Sequence, residues 1–308
     1  MAFHSGVSLG FALSLATGKT EKEFAAFRPL WSKPQQASHF QFRMIPRPTE
    51  PPYCDYENPC PRAAPLSRLL PTFGFYQRMA RLVLVSSAKA KRGRFDDEAF
   101  YCASLRTRKI FEKCGCPVKI EGTGNLAGLS GPMVLIGNHM STAETFLLAS
   151  LVLPFMPMTF VVKRSLVEYP VFKHIMLSRN PVIVGRENPR EDLRAVLEGG
   201  QERLRQGTSL TVFPQRTRTV TFDRSQFNTI GVKLARKAAV PVVPLALKTN
   251  AWSNGKWFKD YGPFLPGEGM RFSFGEPLDS GTGDKVLHEK VVAFIEAHLR
   301  EWGVPLAG

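Results

Sequence analysis

From residue 117 onward, short runs of β-branched and apolar residues alternate with segments whose apolar positions recur at helical spacing. The runs Pro117–Glu121, Met133–Ile136, Thr159–Lys163, Pro181–Val184, Ser209–Phe213, Val240–Leu247 and Met270–Phe274 predict strands. Apolar strands separated by helical segments predict an α/β fold in which helices bury a sheet. One helix is well signed. Asn188 caps it, Pro189 opens its first turn, Glu191 follows three residues after the cap, and Leu193, Val196, Leu197 and Leu204 form its inner stripe. Gly199 and Gly200 oppose that helix from within, and Gly207 ends it. The uncharged stretch Thr145–Val162 contains Pro154 and Pro157, which interrupt a spanning helix, so it predicts a buried helix, a turn and a buried strand.

Upstream the pattern differs. Phe75, Met79 and Leu82, with Tyr76 and Val83 beside them, predict an amphipathic helix that Thr72 could cap. Arg78 and Arg81 lie off the stripe, and Lys89, Lys91, Arg92 and Arg94 follow. Two arrangements fit: a helix lying in an anionic membrane interface, or one packed on the core with a solvated basic edge. Residues before 65 carry little periodicity, and Pro46 to Pro65 is dense in proline, which predicts a disordered or loosely draped extension. The chain therefore divides into a Pro-rich extension (1–64), a basic, membrane-proximal helical region (65–116) and an α/β domain (117–308).

Composition sharpens this picture in three places. The 41 Lys and Arg residues exceed the 26 Asp and Glu residues, for a formal charge of +15. The 65–120 segment holds 12 basic and 4 acidic residues, a surplus of 8, which is more than half of that excess. Such charge suits anionic membrane, acidic protein or nucleic acid, but no nucleic-acid recognition motif accompanies it, so no nucleic-acid partner is expected. The 5 cysteines are odd in number and irregularly spaced, which argues for reduced thiols rather than a disulfide framework. Cys114 and Cys116 have no second Cys/His cluster to complete a metal site, so no metal is expected. Met1 to Ala16 lacks a signal-peptide layout.

Two constellations carry chemistry. Met133–Ile136 runs into Gly137-Asn138-His139-Met140-Ser141-Thr142-Ala143-Glu144. A histidine just past a buried strand can take a proton from an alcohol near neutral pH, and a carboxylate would fix its tautomer. Five residues on one continuous helix would set His139 and Glu144 roughly 140° apart. They meet only if His139 sits in the entering loop and Glu144 in the first turn. Phe213-Pro214-Gln215-Arg216-Thr217-Arg218-Thr219 also follows a strand, and its arginines and hydroxyls make a phosphate clamp or a solvated basic turn.

These two segments, followed by Val240-Pro241-Val242-Val243-Pro244-Leu245, resemble in their order the glycerolipid (PlsC-like) acyltransferase superfamily, of the 1-acylglycerol-3-phosphate acyltransferase type. Gly231-Val232-Lys233-Leu234-Ala235-Arg236-Lys237 resembles the helix before the family's last motif, and the resemblance covers roughly residues 117 to 280. It implies a glycerolipid-acyltransferase-type sheet flanked by helices, with 117–308 as the catalytic domain. It further implies that His139 deprotonates an acceptor hydroxyl, that Glu144 orients His139, and that the hydroxyl attacks an acyl thioester without an acyl-enzyme. Gln215, Arg216, Thr217 and Arg218 would then bind the acceptor, with Lys163 and Arg186 as candidate phosphate contacts, while Pro241 and Pro244 shape the acyl-donor side.

Three residues depart from the family's pattern: Glu144 stands for Asp, Gln215 for Glu, and Arg216 for Gly. The last puts the acceptor in question more than the reaction, since glycine would allow a tight turn there. The expected activity is acylation of a lysophospholipid, most simply 1-acyl-glycerol-3-phosphate to phosphatidate. Another lyso-lipid or amino-lipid acceptor, or a non-catalytic lipid-binding protein, are the alternatives. No cofactor is implied; acyl-CoA or acyl-carrier protein serves as donor. The expected partners are an anionic membrane surface, the lyso-lipid and possible acyl-carrier protein, at the cytoplasmic face of the membrane as a peripheral or monotopic protein.

Overall fold

The computed structural model describes residues 55–256 and 259–307. In chain order the elements are β1 (Tyr56–Asn58), α1 (Pro65–Leu69), α2 (Pro71–Lys91), α3 (Asp97–Lys113), β2 (Val118–Glu121), α4 (Gly124–Ala127), β3 (Val134–Gly137), α5 (Ala143–Val152) and β4 (Met158–Lys163). They continue as α6 (Arg164–Glu168), α7 (Lys173–Leu177), β5 (Val182–Val184), α8 (Pro189–Arg205), β6 (Ser209–Val212), α9 (Ile230–Ala238), β7 (Val242–Lys248), β8 (Met270–Phe274) and α10 (Asp284–Glu301).

The strands form one 8-stranded sheet in the order β1-β2-β8-β7-β3-β6-β4-β5. β7, β3, β6, β4 and β5 run parallel, while β8 is antiparallel to β7 and β1 is antiparallel to β2. Each predicted strand is present within a residue or two of its expected ends. The period-2 alternation of side chains along a strand then divides the core in two. On β3, Leu135 packs with the α2, α3 and α5 side, whereas Val134 and Ile136 pack with the α8, α9 and α10 side. The result is an α/β/α sandwich with helices on both faces.

The stripe Phe75, Met79, Leu82 and Val83 is buried in the first of these cores, where Phe75 stacks on Phe264 at 4.2 Å and meets Trp252 edge-on at 5.0 Å. Of the two arrangements open to this helix, packing on the core is the one adopted by that stripe. α2 and α3 share their core with the sheet, so residue 116 does not separate two cores. Thr72 does not cap α2, which begins after Leu70; its hydroxyl instead accepts from Phe264 N–H at 3.1 Å. Residues 56–58, expected to belong to a draped extension, are the edge strand β1 in register with β2. The rest of that extension, through residue 54, lies outside the described residues, as does Met1 to Ala16.

Asn188 caps α8 as expected, accepting from Arg190 N–H and Glu191 N–H. The glycine inside this helix has a packing role. A Cβ on Gly200 would lie 2.7 Å from Leu234 Cδ2, so its absence lets α8 approach α9 closely. Thr145–Val162 resolves into most of α5, a turn and β4, and no helix among the described residues is long and apolar enough to cross a membrane.

The connections position the site. β3 leads through α5 on one face across β6 to β4, and β6 leads through α9 on the other face across β3 to β7. Neighbouring strands whose connections leave in opposite directions open a crevice at their carboxyl ends. The loops after β3 and β6 are the two chemistry-bearing segments.

Candidate functional site

The histidine loop leaves β3 at Asn138, whose side chain acts as a substitute strand residue. Asn138 donates to Leu247 O and accepts from Leu247 N–H, both at 2.8 Å, and is 1% exposed. This ties the loop to β7 before it bends. α5 begins at Ala143, so His139 lies in the loop and Glu144 in the first turn, which is the bend needed to bring them together. His139 Nδ1 is hydrogen-bonded to Glu144 Oε2.

Glu144 is fully buried, and its partners are distributed over both oxygens. Besides the imidazole, Oε1 accepts from Met140 N–H at 2.7 Å, Ser141 N–H at 2.9 Å and the Thr249 hydroxyl at 2.6 Å. A buried carboxylate with this many donors is compensated for its lost water and fixed in place. It assigns the Nδ1–H tautomer to His139, leaving the Nε2 lone pair as the basic site. The imidazole also stacks on Phe213, with ring centroids 4.5 Å apart and planes 8° apart, and its side chain is 16% exposed.

The loop after β6 braces the same histidine through its backbone. His139 N–H donates to Gln215 Oε1 at 2.6 Å, and Thr219 N–H donates to His139 O at 3.0 Å. Gln215 is 4% exposed, and its carbonyl oxygen holds the histidine loop. Arg216 is exposed, and its φ is not in the left-handed region, so this position does not require the glycine freedom of the family pattern. Arg216 O accepts from Arg186 Nη1 at 2.5 Å.

Arg186 sits in the loop after β5 with φ of 66°, a conformation non-glycine residues rarely adopt. Asp192, in the first turn of α8, holds that loop by accepting from Gly185 N–H at 2.8 Å and Arg186 N–H at 2.9 Å. Burial holds the Arg186 guanidinium below the usual arginine range. Asp192 opposes the shift, and the positive charge of Arg218 adds to it. Two guanidiniums that feel each other beside a basic imidazole suit an anionic group next to a reacting hydroxyl. Lys163 is different: it stands exposed at the end of β4, with no hydrogen bond or ion pair to either loop.

A third segment, after β7, completes the crevice and carries no motif. Beyond Thr249 it supplies Asn254, whose Nδ2 donates to Met140 O at 2.8 Å, and Lys259, whose Nζ donates to Thr217 Oγ1 at 2.8 Å. Asp260 Oδ1 lies 2.6 Å from Arg218 Nη1 and accepts from the Thr142 hydroxyl at 3.2 Å, while Arg218 also reaches Thr142 Oγ1. Trp252 Nε1–H donates to Tyr76 OH at 3.1 Å, and Tyr76 OH donates to Gly262 O at 2.7 Å, which anchors this segment to α2. These residues lie more than a hundred positions from the histidine loop. The only sequence signal for them was polar residues downstream of a strand. Among the described residues, no group of His, Cys, Asp and Glu could hold a metal ion. Burial pushes the thiols of Cys114 and Cys116 up, away from the thiolate form.

Residues 117–248 match the acyltransferase family. A 1-acyl-sn-glycerol-3-phosphate acyltransferase of Pseudomonas aeruginosa is 30% identical over 146 residues, covering 47% of this chain and 55% of the relative. A probable enzyme of the same name from Mycoplasma pneumoniae is 30% identical over 54% of this chain and 65% of the relative. The chain therefore spans about half to just under two thirds of the length of these relatives. The crystal structure of the 1-acyl-sn-glycerophosphate (LPA) acyltransferase PlsC from Thermotoga maritima superposes with a TM-score of 0.59 at 18% identity, covering 77% of this chain and 96% of that one. That likeness is one of fold.

Proposed function

We propose a function for this chain from one premise: the match of residues 117–248 to the acyltransferase family. The reaction is transfer of a fatty acyl group from a thioester donor to the hydroxyl of a lysophospholipid, most simply 1-acyl-glycerol-3-phosphate to phosphatidate. One observation carries it. The buried Glu144 carboxylate fixes His139 with Nε2 basic, in a crevice that also holds the neighbouring guanidiniums Arg186 and Arg218.

The acceptor's phosphate binds to Arg218 and Arg186, which sets its free hydroxyl against His139 Nε2. The hydroxyl proton moves to Nε2 as the oxygen attacks the thioester carbonyl carbon. The tetrahedral intermediate collapses, the carbon–sulfur bond breaks, and the imidazolium returns the proton to the departing thiolate. Glu144 stabilises the imidazolium and is not itself consumed. No covalent enzyme intermediate is required, and the donor is acyl-CoA or an acyl-carrier protein.

The same reading sets the protein on an anionic membrane surface, peripherally and at its cytoplasmic face. Its support is an apolar patch on α1 and the start of α2, where Leu69 is 80%, Phe73 58% and Leu70 55% exposed, next to the basic α2–α3 region. A panel of lyso-lipids with a labelled acyl thioester tests the reaction. Lysophosphatidate is expected to be acylated, and His139→Ala to lower kcat by roughly 10²- to 10⁴-fold. Retained activity in that variant would overturn the mechanism.

A further inference from the structure

The negative charge of Asp260 stands inside a basic crevice. It lies outside the family-matched segment, 2.6 Å from Arg218 Nη1, and its side chain is 48% exposed. One cation contacts it and two more are linked to that contact: Arg218 touches the carboxylate, Arg186 lies within electrostatic reach of Arg218, and Lys259 is next in sequence, tied to Thr217. The Arg218 and Arg186 guanidiniums repel one another, and an anion on either offsets that repulsion. Asp260 is that anion in the free protein.

We propose that Asp260 is a placeholder for the acceptor: its carboxylate occupies the acceptor-phosphate position on Arg218 and must be displaced for the acceptor to bind. This rests on the lysophospholipid reading above and names the acceptor class within it. A phosphate monoester carries nearly two negative charges at neutral pH, because its second ionisation lies near pH 6. Exchanging the carboxylate for such a group adds negative charge to the cluster. A phosphodiester headgroup carries one, so the same exchange adds none and yields no electrostatic advantage. The cost of displacing the carboxylate is the same for either acceptor, so it is the second charge of the monoester, set against the cations left behind, that favours monoester lyso-lipids over diester ones. Lys259, bound to a hydroxyl rather than to a carboxylate, is the cation left to meet the second charge of the monoester.

Two measurements on the full chain test this. In steady-state kinetics, Asp260→Asn is expected to lower KM for lysophosphatidate roughly three- to tenfold, the range of a partly screened ion pair, with kcat moved less than KM. KM for lysophosphatidylglycerol is expected to fall by a similar factor, because either acceptor must displace the carboxylate, so the preference for lysophosphatidate stays within roughly threefold of wild type. A raised or unchanged KM for lysophosphatidate overturns the proposal and leaves Asp260 as a positioning residue for Arg218. A wild-type protein that prefers a cationic amino-lipid, with that preference lost in Asp260→Asn, overturns it as well, since Asp260 then contacts the headgroup directly.

Titration of inorganic phosphate by calorimetry separates this idea from the activity itself. Phosphate is expected to bind Asp260→Asn at least threefold more tightly than wild type, and to lose affinity in Arg218→Ala. Equal or weaker binding to Asp260→Asn overturns the displacement even where lysophosphatidate is a substrate. Tighter binding upholds it even where lysophosphatidate is not.

Discussion

His139 by itself is an ambiguous residue, since a lone loop histidine serves structure as readily as chemistry. Its surroundings are what support the catalytic reading proposed above. Glu144 takes four hydrogen bonds with no exposure, and only one of them goes to the ring; the others pin the histidine loop and the segment after β7. The longer Glu in place of the family's Asp therefore retains the orienting contact through the bend at Ala143. Gln215 acts on the backbone of the same histidine. Gln215→Leu removes the acceptor for His139 N–H and leaves a buried donor unpaired, which costs about 1–3 kcal/mol. Because that strain falls on the histidine loop, kcat is expected to fall more than the acceptor's KM rises. Steady-state kinetics against lysophosphatidate reads the two separately. An acceptor-binding residue would show the reverse.

At the scale of elements, the strands were legible because buried parallel strands are near-continuous apolar runs of fixed length. β1 was not, since Tyr56–Asn58 has no room for a period and lies among prolines. The helix at Pro71–Lys91 was legible as amphipathic, but periodicity cannot say whether its apolar face meets lipid or protein. The buried positions of Phe75 and Met79 answer that. The segment after β7 was invisible for another reason: Thr249, Asn254, Lys259 and Asp260 act through contacts that span the sheet, and no local spacing encodes them. That segment also has a steric requirement. A Cβ at Gly262 would fall 2.1 Å from Ser253 O, a backbone atom that cannot rotate away. Gly262→Ala should therefore displace the strip of chain between Thr249 and Phe264. We expect about 1–3 kcal/mol lost, seen as a lower Tm, together with a drop in kcat/KM.

For the whole molecule, two apolar surfaces of the α1–α2 region have opposite fates, and they can be told apart. Phe75 is wholly buried, and truncation to alanine is expected to cost about 3–5 kcal/mol, read as a large fall in Tm. Leu69 and Phe73 are exposed, so replacing both by serine should leave Tm within a few degrees. The same pair should weaken sedimentation with vesicles containing phosphatidylglycerol. Undiminished vesicle binding by the double variant would remove this patch as the membrane contact. The basic α2–α3 surface would be expected to add salt-sensitive attraction to the same vesicles.

The backbone of His139 is held from both sides by the segment that carries Gln215 and Thr219. The consequence is one of heredity. Both departures nearest the histidine, Glu144 against its ring and Gln215 against its amide, bear on a single residue, so neither loop can drift without the other. A chimera that grafts a relative's histidine loop onto this chain would inherit half of a fitted pair. Exchange of the two loops together is the transplant that keeps the base aligned.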